Sequence, residues 1–204
     1  MPRRPAIELT LGQGSDDADG RVRRGARNRS AIVDALAALV SEGELVPTAE
    51  QVAQRAGVGT RTVFRHFEDM DSLFARVSER VVRGYDAVIA QPFEGSLDER
   101  IGEMVRRRVY VWERIMPFKR SANAQRWQSD FLQMNHDNAV RRQRDWLRRA
   151  LPELSRAAPQ VVEALDLVVS LEAWERLRVD QRLGRERARE VMETSVRALL
   201  ASLH

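Results

Sequence analysis

The sequence predicts an all-α chain: an N-terminal three-helix head followed by a larger helical domain. Three observations carry this. Apolar residues recur at three- and four-residue spacing from Ile32 onward, Ser, Thr or Asp stands where several helices would begin, and strand-like alternation occurs nowhere. With 43% hydrophobic and 31% charged residues, the 204-residue chain has the composition of a folded protein that buries one or two modest cores.

Residues 1–26 are expected to be a disordered basic arm, since Met1 to Gly20 mixes Pro, Gly, Asp and Ser without an apolar period. A first helix places Ile32, Ala35, Leu36, Leu39 and Val40 on one face and stops near Gly43. Thr48 with Gln51 has the form of a capping box, so a second helix starts at residue 49 and presents Val52, Ala53 and Ala56 on one small apolar face. Gly57 supplies the positive φ of a tight turn, and Val58 plugs the angle between two helices. A third helix then begins near Gly59 or Thr60. Its Val63 and Phe67 point inward, while Thr60, Arg61, Thr62, Arg65 and His66 point out. Two short helices hinged at a glycine, the second showing hydroxyls, guanidiniums and an imidazole, form a helix-turn-helix suited to major-groove and phosphate contacts.

The run Gly57 to Phe67, followed by Leu73 after a short charged gap, resembles the DNA-binding signature of TetR-family one-component transcriptional regulators. The resemblance is strong over residues 27–82 and weak beyond. Family members usually carry Ser at the position of Gly59, Tyr at Phe64 and Lys at Met70; the Tyr hydroxyl and Lys ammonium commonly reach phosphates, and Phe64 and Met70 have neither group. Thr48, Gly59 and Phe64 join the outward residues in the expected DNA-binding set. The five arginines within residues 21–29, with no acid among them, add a local basic patch; Arg27 and Arg29 are the expected contributors. A formal net charge of only +4 argues against a general polyanion binder.

Asp69 is expected to cap a fourth helix running through Leu73, Phe74, Val77, Val81 and Val88 to the break at Gln91-Pro92. Ser96 and Glu99 open a fifth, with Ile101, Met104, Val105, Val109, Trp112 and Ile115 inward, which Pro117 ends. Helices at about 124–150, 159–182 and 185–203 complete the chain, with a turn at Pro152. Val161, Val162, Leu165, Leu167, Val168, Val169 and Leu171 surround the axis of the helix after Pro159, so it is buried on more than one side. The last helix is amphipathic through Ala188, Val191, Met192, Ser195, Leu199 and Leu203. Paired with symmetry mates, these two helices would form the four-helix dimer interface that the resemblance also implies.

The domains are therefore expected at 27–70 for the helix-turn-helix head and 71–204 for ligand binding and dimerisation. Trp112, Met116, Trp127, Phe131, Met134 and Trp174, with Met104 and Leu171, are the candidate walls of a ligand pocket. Arg108 and Asn135 are its candidate polar anchors, because a buried polar group needs a partner and a ligand can be one. The same residues also suit a plain core.

No catalytic residue, metal site or cofactor is expected, and the chain is not read as an enzyme. His66 belongs to the recognition helix, His136 sits in a polar run, His204 is terminal, and Glu172 and Glu175 have Arg176 and Arg178 as partners. The absence of cysteine excludes disulfides and thiolate chemistry. With no 18-residue apolar run and no leader pattern, a cytoplasmic protein without membrane contact is expected. Lys119 is the only lysine, which reads as composition bias. The expected function is a homodimeric repressor on a palindromic double-stranded DNA operator, released by a small-molecule effector. The alternative is a ligand-independent or architectural DNA-binding protein whose C-terminal domain only dimerises.

Overall fold

In the computed structural model, residues 14–201 are described, with side chains from residue 22. Among them the secondary structure is helical and no strand occurs. Helix α1 (Gly14–Ser41) is longer than the sequence suggests. It takes in residues 14–26 of the expected disordered arm, and the remainder of that arm, with Leu203, lies outside the described residues. No Pro interrupts residues 14–41, so the helix propagates from its apolar half back through the arginines.

The ends of α1 and of α2 (Ala49–Ala56) are built alike. Gly43 at φ +103° donates to the Val40 carbonyl while Glu44 donates to that of Leu39; Gly57 at φ +66° donates to Gln54 while Val58 donates to Ala53. Both are Schellman closures, which satisfy the last carbonyls through a left-handed glycine. Thr48 caps α2 in the expected box, accepting from Gln51 N at 3.2 Å while its own N–H donates to Gln51 Oε1 at 2.7 Å. Helix α3 (Thr60–His66) buries Val63, and Phe67 follows it inward. Helix α4 (Met70–Arg83) is capped by Asp69 and buries Leu73, Phe74 and Val77. The head core therefore joins Ile32, Leu36, Val52, Val63, Phe67, Leu73 and Val77, and it also admits Leu132 from a later helix.

The fourth helix does not run unbroken to Gln91. It ends at Gly84, Tyr85 leaves helical geometry at φ −118° and ψ 0°, and a short α5 (Asp86–Ala90) resumes. The Tyr85 ring packs edge-on against Tyr110 with centroids 6.2 Å apart.

Pro117 does not end the fifth helix either: α6 (Leu97–Gln125) passes through it. A mid-helix proline costs about 3 kcal/mol, and here packing on both sides offsets that. Before it lie buried Val109, Val111 and Trp112; beyond it Ser121 is fully buried and donates to the Leu45 carbonyl at 2.9 Å. A 3₁₀ turn (Arg126–Gln128) leads to Ser129, which caps α7 (Asp130–Ala150). After a second 3₁₀ turn at Pro152–Arg156 comes α8 (Pro159–Val168). The expected helix 159–182 is broken at Val169-Ser170, where Ser170 caps α9 (Leu171–Glu175) and a π turn (Arg176–Asp180) follows. Helix α10 (Arg185–Ala201) closes the body on Ala188, Met192, Val196 and Leu200; this face is rotated from the expected one, leaving Val191, Ser195 and Leu199 only partly buried. The body core gathers Ile101, Met104, Val105, Leu147, Leu165, Leu171, Trp174 and these α10 residues.

Candidate DNA interface and ligand cavity

The helix-turn-helix is formed as the sequence indicates, and its chemistry follows from the register of α3. With Val63 and Phe67 committed to the core, Arg61 and Arg65 are carried outward and are exposed, and Phe64 is 48% exposed beside them. Among the described residues neither Arg61 nor Arg65 is engaged in an ion pair or hydrogen bond, so both guanidiniums are available. Thr60 and Thr62 are partly buried at the shoulder of this face, and Gly59 begins α3 without adding a side-chain cap. Thr48 is exposed at the start of α2. Arg27 is exposed on α1, and the exposed Arg29 lies with its guanidinium carbon 5.2 Å from the centre of the Phe67 ring.

His66 departs from the expected set. Its Nε2 is buried without a hydrogen-bond partner, and its ring faces Gly25 of α1, where a Cβ would stand 4.0 Å from its Cε1. Burial, then the charges of Arg65 and Arg29, hold its pKa below the ordinary imidazole value. The side chain belongs to the seam between α1 and α3. An extended α1 was not legible from composition, and it is what covers this ring.

The expected pocket residues are not brought together. Trp127 is 79% and Met134 54% exposed. Phe131 packs against the head core, Met104 and Leu171 lie in the body core, and Met116 lines a cleft of about 370 Å³ between the α1 end and the π turn. Trp174 is fully buried and donates its Nε1–H to Glu113 at 3.0 Å. Asn135 is partly buried on α7. Arg108 is fully buried, as expected of an anchor, but its Nη1 donates to the Val169 carbonyl at 3.1 Å and its Nη2 to that of Gln143 at 2.9 Å. Burial pulls its pKa down to about 10, which still leaves it charged at neutral pH. Through the Val169 carbonyl it is tied to the break between α8 and α9.

An apolar cavity of about 160 Å³ lies one wall away, between α4–α5, α6 and α7. Of the expected pocket residues only Trp112 lines it. Val82, Tyr85, Asp86 and Ile89 form one side, Val111 and Ile115 a second, and Ala139, Arg142, Gln143 and Trp146 a third. Sequence reasoning missed Tyr85 and Trp146, although a signal was present: Ala139, Gln143 and Trp146 recur at three- and four-residue spacing on one α7 face. Among the described residues no group of His, Asp and Glu is arranged to hold a metal ion, and no helix is long and apolar enough to cross a membrane.

Head and body together place an exposed helix-turn-helix face on a larger helical domain. Residues 32–77 match the model of bacterial regulatory proteins of the tetR family. The fold of the whole chain is similar to a transcriptional regulator from Rhodococcus sp. Rha1, at TM-score 0.60 and 18% identity over 87% of this chain and 96% of that one. It is also similar to a TetR-family regulator from Mesorhizobium loti (TM-score 0.59, 18% identity, 88% and 98% covered). A third similar structure is the multidrug binding protein EbrR complexed with imidazole (TM-score 0.56, 19% identity, 91% and 96% covered). Comparison with curated proteins found no match. Residues 32–77 thus match that family's model, and the whole chain shares the fold of these solved structures.

Proposed function

We propose that the protein is a homodimeric repressor that holds a palindromic operator and is released from it by a small-molecule effector. The observation carrying this is the continuity of head and cavity: α4, whose Leu73, Phe74 and Val77 share the head core with Val63 and Phe67, passes through Gly84 into Tyr85 and Ile89 on the cavity wall. An occupant that prefers one position of Tyr85 thereby biases the direction of α4. Such differential binding typically supplies about 1 to 3 kcal/mol of coupling. Arg61 and Arg65 serve as base or phosphate contacts, with Thr48, Thr60, Thr62, Arg27 and Arg29 on the flanking backbone.

Dimerisation through α8 and α10 is supported by Leu167, 68% exposed on a helix whose Val161, Val162 and Val168 are also incompletely covered. Two heads spaced about 34–36 Å apart would enter successive major grooves. The test combines sedimentation with binding to DNA selected from a random pool. A dimer that enriches an inverted repeat and loses affinity for it in the presence of an effector supports the reading. A monomer, or enrichment of no repeat, contradicts it.

A further inference from the structure

We propose that the cavity between α4–α5, α6 and α7 takes a small single-ring aromatic compound bearing a hydrogen-bond acceptor, with the Trp146 indole N–H as the donor. The inference deepens the effector reading above by naming the ligand class. Its first support is size: about 160 Å³ is close to the roughly 150 Å³ of a cavity that accepts benzene. One ring fills that volume. The second is lining: Tyr85, Trp112 and Trp146 supply ring surface, and Val82, Val111 and Ile115 supply aliphatic surface.

The third support is a missing partner. Trp146 is 3% exposed and lines the cavity, yet its Nε1 is buried with no acceptor. A buried indole N–H normally finds one; Trp112 reaches the Val169 carbonyl at 3.4 Å and Trp174 reaches Glu113. The Arg108 guanidinium carbon sits 5.1 Å from the Trp146 ring centre, and its Nε also lacks an acceptor.

The test uses the full-length protein without DNA and two probes of one shape, acetophenone and ethylbenzene, only the first having an acceptor. Calorimetric titration is expected to show acetophenone binding about tenfold tighter, the order of one well-made hydrogen bond. Trp146→Phe keeps a ring and removes the N–H, so it should erase that preference and leave ethylbenzene affinity within about twofold. Ala139→Leu, which fills the cavity, should abolish binding of both. Equal affinities in the wild type, the same preference in a folded Trp146→Phe variant, or no binding of either probe would overturn the proposal. Should Trp146→Phe not fold, the wild-type comparison and Ala139→Leu still decide. Because the readout is binding alone, a failure of operator release remains separately visible.

Discussion

The Ser129 hydroxyl donates to the Asp71 carboxylate at 2.6 Å and at the same time accepts the Leu132 N–H at 3.1 Å, so one side chain caps α7 and ties it to the first turn of α4. The head and the body are joined here by hydrogen bonds as well as by packing. Ser129→Ala should cost about 0.5 to 2 kcal/mol through the lost cap. Asp71→Ala should cost less, and the double variant should be less destabilised than the sum, because the shared bond is counted twice. Urea unfolding of the four proteins measures this; strict additivity would mean that the bond contributes nothing.

Phe131 sits on the same seam, packed partly buried against the head core. Phe131→Ala should therefore lower head stability and operator affinity, and leave probe binding in the cavity unchanged. Since the ring is only partly buried, the stability loss should fall below the roughly 3 to 5 kcal/mol of a fully buried Phe→Ala change. Reduced probe affinity with an undisturbed head would place Phe131 in the pocket after all.

Arg108→Met should be tolerated, with stability changed by less than about 2 kcal/mol. Buried-charge replacements are often neutral when no partner charge is stranded, and Val169 O keeps the Trp112 N–H at 3.4 Å when the guanidinium leaves. Thermal and urea unfolding provide the check. A loss of several kcal/mol would make Arg108 a structural keystone of the α8–α9 break.

Lowering the pH should destabilise the fold before the carboxylates titrate. Burial, followed by Arg65 and Arg29, depresses the pKa of His66; burial, followed by Lys119 and Arg126, depresses that of His136. The unfolded chain protonates these rings near 6.5 while the folded one resists, so the unfolded state binds more protons and stability falls as pH drops through that value. Above it both states carry neutral rings and the contribution is flat. The melting temperature should decline between about pH 7 and 5, and His66→Gln with His136→Gln should flatten the decline. A melting temperature that rises on acidification would contradict the burial of these rings.

How much was legible depended on whether a signal was local. The capping boxes at Thr48 and Ser96, the Gly57 turn and the inward Val63 and Phe67 are decided within a few residues, and each is found as expected. Pro117 reversed its usual meaning, and the α4–α5 break at Gly84-Tyr85 went unread, because tertiary contacts decided both. Ser121 and Phe118 hold α6 together beyond the proline, while Tyr85 turns aside toward Tyr110. The cavity was misplaced for a related reason. Bulk alone does not place an aromatic or Met side chain: the relative rotation of α6 and α7 sends Trp146 to the cavity and leaves Trp127 and Met134 on the surface.

Phe64 adds a specificity expectation. Exposed between Arg61 and Arg65 and lacking a hydroxyl, it suits apolar contact with a thymine methyl. Phe64→Ala should relax preference at one operator position, and replacing that thymine by uracil should weaken wild-type binding while leaving the variant unchanged. Equal sensitivity of both proteins to uracil would assign the ring to packing.

The central claim, that the α3 face reads DNA, is tested most directly by the affinity of Arg61→Ala and Arg65→Ala for an operator selected by the wild-type protein. A guanine-reading arginine should cost about 1 to 3 kcal/mol on removal, and a phosphate-contacting one should lower the salt dependence by about one unit of slope. Wild-type affinity and salt slope in both folded variants would contradict the account.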